Sequence, residues 1–164
     1  MRSAAGEPIV VPADKGVYFE AESGQVVPPM ERQYDEKASG GKYVWMPGKP
    51  GEKGGSVPGS VTWRLKVTQE GKYTLWGRVL APTPEDDSLY VRAFTDAREL
   101  IPLTAWQTGT HTEWEWAQVR LGGARAPIPL KLPAGEVNLQ FRVREDGTKL
   151  DRLFITPKAD EKPE

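Results

Sequence analysis

Apolar and polar residues alternate along several segments of this chain. Val61, Trp63, Leu65 and Val67 share one phase, and polar residues stand between them. The same two-residue period recurs at residues 73–79, 89–93, 114–121 and 137–143, and no long segment shows the 3.6-residue period of a helix. Because successive side chains of a strand point to opposite faces, this pattern predicts half-buried antiparallel strands.

Shorter apolar runs predict further strands at residues 17–22, 42–46, 128–132 and 150–156. Turn-forming pairs such as Glu70-Gly71 and Asp146-Gly147 separate the runs. Many short strands between Gly- and Pro-containing turns are typical of sandwiches and barrels. The pattern therefore predicts an all-β fold, an antiparallel β-sandwich of jelly-roll type with about nine strands.

Composition supports this prediction and suggests boundaries. The 164 residues include 17 Gly and 15 Pro, an excess over average usage of roughly 7% and 5% that argues against a helical bundle. A chain of this length can bury one full core. We expect a single domain at residues 14–157, a disordered N-terminal extension at 1–13, a charged tail at 158–164, and a long low-complexity loop at 47–60.

Several classes of function are disfavoured by composition. The 22 Lys and Arg nearly balance the 23 Asp and Glu, so no long-range field attracts nucleic acid or an anionic membrane. No apolar stretch reaches the ~18 residues of a membrane span, and the first dozen residues lack the apolar core of a signal peptide. Without Cys and with only His111, zinc, iron–sulfur, thiol and disulfide chemistry are also disfavoured.

The sequence gives little support for catalysis. A Ser-His-Asp triad would need His111, which lies in a polar loop. A pair of carboxylates such as Glu113 and Glu115 could in principle hydrolyse a glycoside, but exposed acidic residues are too common to be informative. We therefore expect a protein that is not an enzyme.

Three acidic residues form a candidate metal site. Glu20 and Glu22 are two residues apart, so on a strand they project from one face, and Asp151 is near the end of the chain. Calcium takes six to eight oxygen ligands, which these carboxylates and nearby carbonyls can supply. On the residues alone, a solvated polar face of an edge strand is the simpler interpretation.

An ordered set of motifs gives a family resemblance. The motifs are FEAE at 19–22, ASGGKYV at 38–44, GKYTLW at 71–76, DSLYV at 87–91, WEW at 114–116, LPAG at 132–135 and REDGTKLD at 144–151. Their order, across residues 17–156, resembles that of the family 6 and family 35 carbohydrate-binding modules, which have a galactose-binding-like β-sandwich.

The resemblance implies a function and a cofactor. It implies a non-catalytic, lectin-like module that binds a polysaccharide or oligosaccharide. In such modules the two Glu and the closing Asp hold a structural calcium, and the matching positions are Glu20, Glu22 and Asp151. It also implies a monomeric domain of a larger multidomain protein, secreted or at the cell surface.

Sugar recognition needs aromatic faces for the apolar C–H patches of the rings, and polar groups for the hydroxyls. Trp114 and Trp106 flank the loop that matches the family's sugar-stacking position, and Tyr43 and Trp45 match the opposite wall. By phase, Trp63 belongs to the core. Trp116 is expected to be a buried anchor, and the alternation does not assign Trp76.

Two polar residues complete the candidate sugar site. Asp146 accepts either a sugar hydroxyl or only the hydrogen bonds of a turn. Lys149 stands where many family members have Asn. A lysine there suits a uronate or another anionic glycan. The same change favours the alternative, a structural or protein-interaction domain that keeps the fold without sugar binding.

Overall fold

The computed structural model describes residues 7–49, 58–121 and 129–164. These residues contain thirteen strands: β1 Ile9–Val11, β2 Val17–Glu20, β3 Gln25–Val27, β4 Glu31–Tyr34, β5 Lys42–Trp45, β6 Ser60–Val67, β7 Gly71–Ala81, β8 Ser88–Phe94, β9 Glu99–Gln107, β10 His111–Gln118, β11 Leu130–Leu132, β12 Gly135–Val143 and β13 Lys149–Thr156. Three short 3-10 helices accompany them, at Ala21–Ser23, Ser39–Gly41 and Pro84–Asp86. No helix within the described ranges is long and apolar enough to cross a bilayer.

The strands form two sheets. The first has the order β1-β6-β12-β8-β9, with β3 also paired to β6, and the second has the order β10-β7-β13-β5-β4, with β11 on β7 and β2 on β13. All strand pairs are antiparallel except β1 with β6. The predicted all-β sandwich is confirmed.

The core lies between the two sheets and uses the predicted alternation. Trp63, Leu65, Leu139 and Phe141 point inward from β6 and β12 and are at most 1% exposed. The Trp63 and Phe141 rings meet edge to face at 5.3 Å, a favoured aromatic geometry. Trp63 is thus in the core, as the sequence predicts.

The structure contains more strands than the nine that the alternation predicts. The additional ones are β1, β3, β4 and β9. β1 and β3 have three residues each, and β4 is exposed along its whole length. β1, β3 and β4 are therefore too short or too polar to show a two-residue period. The predicted strand at 128–132 begins at Leu130 in the structure, and residue 128 lies outside the described residues.

Both ends of the described chain pack on the sandwich. Ile9–Val11 pairs with β6, and Val11 is fully buried, so these residues belong to the sheet and not to the extension expected at 1–13. In the tail, the backbone N–H of Gly16 donates to Glu161 Oε1 at 2.9 Å, and the backbone N–H of Glu164 donates to the Tyr18 hydroxyl at 2.9 Å. Residues 158–164 thus lie against the second sheet.

The outer face of the second sheet carries the aromatic and charged side chains. In the β5-β13-β7 register, Lys149 lies opposite Trp45 on one side and Leu80 on the other. Because directly paired residues share a face, these three side chains stand side by side. The opposite face of the same strands, with Val44, Val79 and Leu150, packs into the core.

Candidate functional site

Tyr43, Trp45 and Lys149 form one contiguous cluster. Tyr43 and Trp45 are two residues apart on β5, so both project outward, and their ring centres are 6.0 Å apart. The Lys149 ammonium lies 5.3 Å from the ring centre of Tyr43 and 5.2 Å from that of Trp45. These distances are those of cation–π contacts, which hold the ammonium over the rings.

Trp114 extends this cluster toward β10. Its ring centre is 5.5 Å from that of Tyr43, and the Arg78 guanidinium lies 5.8 Å from it. The Trp114 indole N–H donates to Asp35 Oδ2 at 3.0 Å. The backbone N–H of Lys37 and this indole N–H lower the pKa of Asp35, so it is a carboxylate at neutral pH.

An open groove of about 470 Å³ runs beside Trp114. Its described lining includes Asp35, Lys37, Arg78, Leu80, Glu113 and Trp114. One aromatic face therefore stands among donors and acceptors of both charges. Such a surface can contact the apolar side of a ligand and hydrogen-bond its hydroxyl groups.

A second, smaller cavity lies on the other side of Lys149. Its volume is about 110 Å³, and Trp45, Gly48, Pro82, Asp86, Gly147 and Lys149 line it. Asp146 lies directly behind Gly48, since a Cβ added to this glycine would come within 2.1 Å of Asp146 Oδ2. Tyr43, Trp45, Trp114, Asp146 and Lys149 thus come together in the structure.

Trp106 is the exception among the predicted sugar contacts, and the prediction for it is wrong. It is fully buried, packs against Phe141 at 5.7 Å, and donates from its indole N–H to the Gln118 carbonyl. It pairs with Leu89 across β8 and β9, and both residues face the core. A ring in this position cannot contact a ligand on the surface.

The remaining two tryptophans lie on the outer face of the second sheet. Trp116 is half-buried, and its indole N–H donates to the Glu164 carbonyl at 3.3 Å. Trp116 is therefore not the buried anchor that the sequence predicts, because it lies on the outer face and contacts the tail. Trp76 is also half-buried and pairs with Phe154 across β7 and β13.

The acidic cluster assembles as the sequence suggests, but with different local geometry. Glu20 ends β2, Glu22 lies in the 3-10 helix Ala21–Ser23, and Asp151 is fully buried on β13. One carboxylate oxygen of each lies within 4.8 Å of the others. The turn, and not a shared strand face, brings Glu20 and Glu22 together. This cluster can hold a metal ion.

The electrostatics of this cluster are unusual for three acids. Within the described residues, Glu20 Oε2, Glu22 Oε1 and Asp151 Oδ1 are buried and have no hydrogen-bond partner. Burial, together with the neighbouring carboxylates, raises the pKa of Glu22 to about 7. Burial also raises the pKa of Asp151, although its other oxygen accepts from Arg78 and from the backbone N–H of Ser39. Glu20 Oε2 also lies 3.7 Å from Arg152 Nε. Buried carboxylate oxygens that accept no hydrogen bond match the ligand set of a hard cation.

Solved structures share this arrangement of strands. A family 35 carbohydrate-binding module from Clostridium thermocellum is 19% identical, with a TM-score of 0.58, over 85% of this chain and 96% of that one. The C-terminal family 6 module of a marine laminarinase from Zobellia galactanivorans is 14% identical, with a TM-score of 0.58, over 86% of this chain and 98% of that one. The chain has the fold of these carbohydrate-binding modules.

The same module fold also matches part of larger structures. A Podospora anserina β-(1,4)-mannanase with a family 35 module is 16% identical, with a TM-score of 0.62, over 92% of this chain and 29% of that one.

A curated protein also matches in sequence. The uncharacterized protein P23 of Formosa agariphila is 28% identical over 109 residues, which are 63% of this chain. The chain spans about a quarter of that protein, since the match covers 26% of it. No protein-family model matches the chain.

The sequence analysis does not assign Asp35, Lys37 or Arg78, which line the Trp114 groove, to a site. Arg78 follows the alternation of β7 and faces outward with Leu80. The alternation alone could therefore have placed Arg78 on the outer face. Asp35 follows a fully exposed strand and reaches Trp114 across 79 positions of the chain. A local pattern cannot predict that contact.

Another groove lies far from these aromatic side chains. It has a volume of about 440 Å³ and lies near Gly71 at the start of β7, whereas Leu80 is near the end of that strand. Lys72, Arg98, Glu99 and Lys131 line it, and none of its described lining residues is aromatic. It therefore lacks the flat apolar surface of the Trp114 groove.

Proposed function

We propose that the chain is a non-catalytic carbohydrate-binding module that docks a glycan on the outer face of the second sheet. The observation that carries this proposal is the groove beside Trp114, where an aromatic ring stands among Asp35, Lys37 and Arg78. The fold shared with family 6 and family 35 modules supports the same function.

The groove has both physical elements of sugar recognition. The Trp114 ring removes apolar C–H surface of a pyranose from water, which supplies most of the binding energy. Asp35 accepts, and Lys37 and Arg78 donate, so hydroxyls desolvated in the groove find partners. Because a short glycan buries little surface, binding is weak, with a Kd of roughly 10 µM to 1 mM.

Calcium at Glu20, Glu22 and Asp151 is the second part of the proposal. One carboxylate oxygen from each of these residues would be a ligand, and the backbone near Gly40 lies within reach of both glutamates. When bound, the ion neutralises the carboxylates and links β2 to β13. It stabilises the fold and takes no part in chemistry.

The wider setting of the module is proposed on the same basis. The P23 match covers about a quarter of that protein, and the mannanase match 29% of its chain. We place this chain as a monomeric domain within a larger secreted or cell-surface protein that acts on a polysaccharide.

One observation favours the alternative, a structural or protein-interaction domain. Tyr43 is only 4% exposed, and the Lys149 ammonium lies over both the Tyr43 and Trp45 rings. These rings offer less open surface than the sequence analysis expects. Residues 50–57 of the predicted loop at 47–60 lie outside the described ranges.

Affinity gel electrophoresis on a panel of soluble polysaccharides tests the proposal. We expect at least one polysaccharide to retard the wild type, and Trp114→Ala to migrate as in a gel without polysaccharide. Trp76→Phe, which changes a tryptophan outside the groove, should keep the retardation. Equal retardation of wild type and Trp114→Ala would contradict the site, and no retardation on any gel would favour the alternative.

A further inference from the structure

We infer that the tail, residues 158–164, closes one end of the glycan groove and limits the length of the glycan that binds. This inference rests on the proposed function, since it concerns regulation of the same site. It starts from an adjoining open groove of about 280 Å³ that shares Lys37 and Arg78 with the Trp114 groove. Glu164 of the tail also lines this adjoining groove. A ligand that extends from Trp114 past Arg78 through it therefore meets the tail.

The floor of the adjoining groove is a row of side chains across the second sheet. Arg78 on β7 pairs with Trp116 on β10 and with Arg152 on β13. Directly paired residues share a face, and all three line the groove. An aromatic ring thus stands beside cationic donors, as it does in the Trp114 groove. Further units of a glycan find the same kinds of contact there, so the adjoining groove continues the proposed site.

The tail lies at the next row of the same face. In that row Phe154 on β13 pairs with Tyr18 on β2, and their ring centres are 4.6 Å apart. The backbone N–H of Glu164 donates to the Tyr18 hydroxyl at 2.9 Å, and the Glu164 carbonyl accepts from the Trp116 indole N–H at 3.3 Å. Glu164 therefore joins the two rows, and the groove that is open to a glycan ends at this residue.

Glu161 anchors the base of the tail. Its Oε1 accepts hydrogen bonds from the backbone N–H of Gly16 at 2.9 Å and from the Thr156 hydroxyl. Both hydrogen bonds are partly buried, and Thr156 is fully buried. Hydrogen bonds to a charged group are stronger than those between neutral groups. The Glu161 carboxylate therefore fixes the tail against the sheet.

The end of the tail is held more weakly. Both hydrogen bonds of Glu164 are exposed to solvent and join neutral groups, and such bonds contribute little to stability. Charge adds some attraction, because Glu164 lines the groove together with Lys37, Arg78 and Arg152. Weakly held ends open locally while the rest of a protein stays folded. The tail therefore opens at Glu164 while it remains attached at Glu161, and a long glycan competes with its end.

Variants of the tail test this competition. Glu161→Ala removes the acceptor that anchors the tail, so the tail should leave the sheet. Asp160→Ala changes an adjacent, exposed acidic residue and is the matched control. A third variant lacks residues 158–164. Isothermal titration calorimetry measures the affinity of each protein for oligosaccharides of two to eight units, prepared from the polysaccharide that retards the wild type.

We expect the affinity of the wild type and of Asp160→Ala to level off with glycan length. The affinity of Glu161→Ala and of the tail-deleted chain should keep rising, to about threefold or more above that of the wild type, because a site that is closed in part of the molecules binds with a proportionally reduced apparent affinity. All four proteins should bind the disaccharide equally, because it occupies the Trp114 groove without reaching the tail.

The Trp116 indole N–H signal shows independently whether the tail has left the sheet. Without glycan, this ¹H–¹⁵N signal should move away from its wild-type position in Glu161→Ala, because the Glu164 carbonyl no longer accepts its hydrogen bond. Asp160→Ala should keep the wild-type position. An unchanged signal in Glu161→Ala would show that Glu161 does not hold the tail, and would overturn the inference.

The inference and the proposed function fail differently. If the wild type and the variants without a docked tail bind oligosaccharides of every length equally, or if these variants bind long ones more weakly, the tail does not limit glycan length. Glycan binding in the Trp114 groove would then stand without this inference. A wild type that no polysaccharide retards and that binds no oligosaccharide overturns the proposed function itself.

Discussion

The indole N–H of Trp114 donates a hydrogen bond to the carboxylate of Asp35, 3.0 Å away. This bond joins β10 to the turn after β4, two elements at opposite edges of the second sheet. It fixes the edge of the Trp114 ring while leaving the ring beside the open groove. Asp35 is thus a positioning residue for the aromatic surface.

Removing this bond should weaken glycan binding without unfolding the protein. A hydrogen bond to a charged group contributes about 1.5–3 kcal/mol, but Asp35 is partly exposed, so we expect Asp35→Ala to weaken retardation about threefold to tenfold. Asp96→Ala, at an exposed turn, is the matched control. Unchanged binding by Asp35→Ala would show that Trp114 needs no such support.

Chelation should lower the thermal stability of the protein. If calcium is present at a hundred times its Kd, its removal costs about 2.7 kcal/mol, or a fall in Tm of about 5–10 °C for a domain of this size. Asp151→Asn should lose most of this response to EDTA, and Asp96→Asn should keep it. A melting curve of the wild type that does not change on chelation contradicts the calcium site.

Calcium affinity should increase with pH through neutrality. The pKa of Glu22 is about 7 without the metal, because burial and the nearby Glu20 and Asp151 disfavour its charge. At pH 6 most Glu22 side chains carry a proton, which calcium must displace, whereas at pH 8 most are already ionised. The Kd for calcium should therefore be about tenfold lower at pH 8 than at pH 6. Calorimetry in two buffers of different ionisation enthalpy measures the released proton. A Kd independent of pH would rule out Glu22 as a ligand.

Replacing Trp106 should destabilise the protein more than replacing Trp114. Trp106 fills the core, and a Cβ on Gly77 would lie only 2.7 Å from its ring. Trp106→Ala should therefore lower the free energy of unfolding by about 3–5 kcal/mol, and Trp114→Ala by less than half as much. Urea denaturation of both variants checks this. Comparable losses would mean that Trp114 is also a core residue.

Trp63 and Trp106 show how much of the fold the sequence predicts. Trp63 could be assigned to the core because it shares a phase with Val61 and Leu65 on a regular strand. Trp106 follows Pro102 in a segment with no clear alternation, so its phase, and hence its face, could not be determined. The register of β9 against β8 decides its position, and register is a property of the assembled sheet.

Some residues of the candidate site could be predicted from the sequence, and others could not. Tyr43, Trp45 and Lys149 could be proposed from their motifs, and the structure places them together. The contact of Asp35 with Trp114 spans 79 positions, and the ammonium of Lys149 over two rings depends on the β5–β13 pairing. These relationships follow from the tertiary structure alone. The strand at Ile9–Val11, of which only Val11 is buried, is too short for a periodic signal.

The most direct test of glycan binding at this surface observes the tryptophans one by one. The six indole N–H signals are assigned in ¹H–¹⁵N spectra of the protein by single Trp→Phe variants. An oligosaccharide derived from the polysaccharide that retards the wild type is then added. We expect the Trp114 and Trp45 signals to shift, and those of the core residues Trp63 and Trp106 to change little. Shifts confined to other tryptophans, or no shift at Trp114 under saturating ligand, would contradict it.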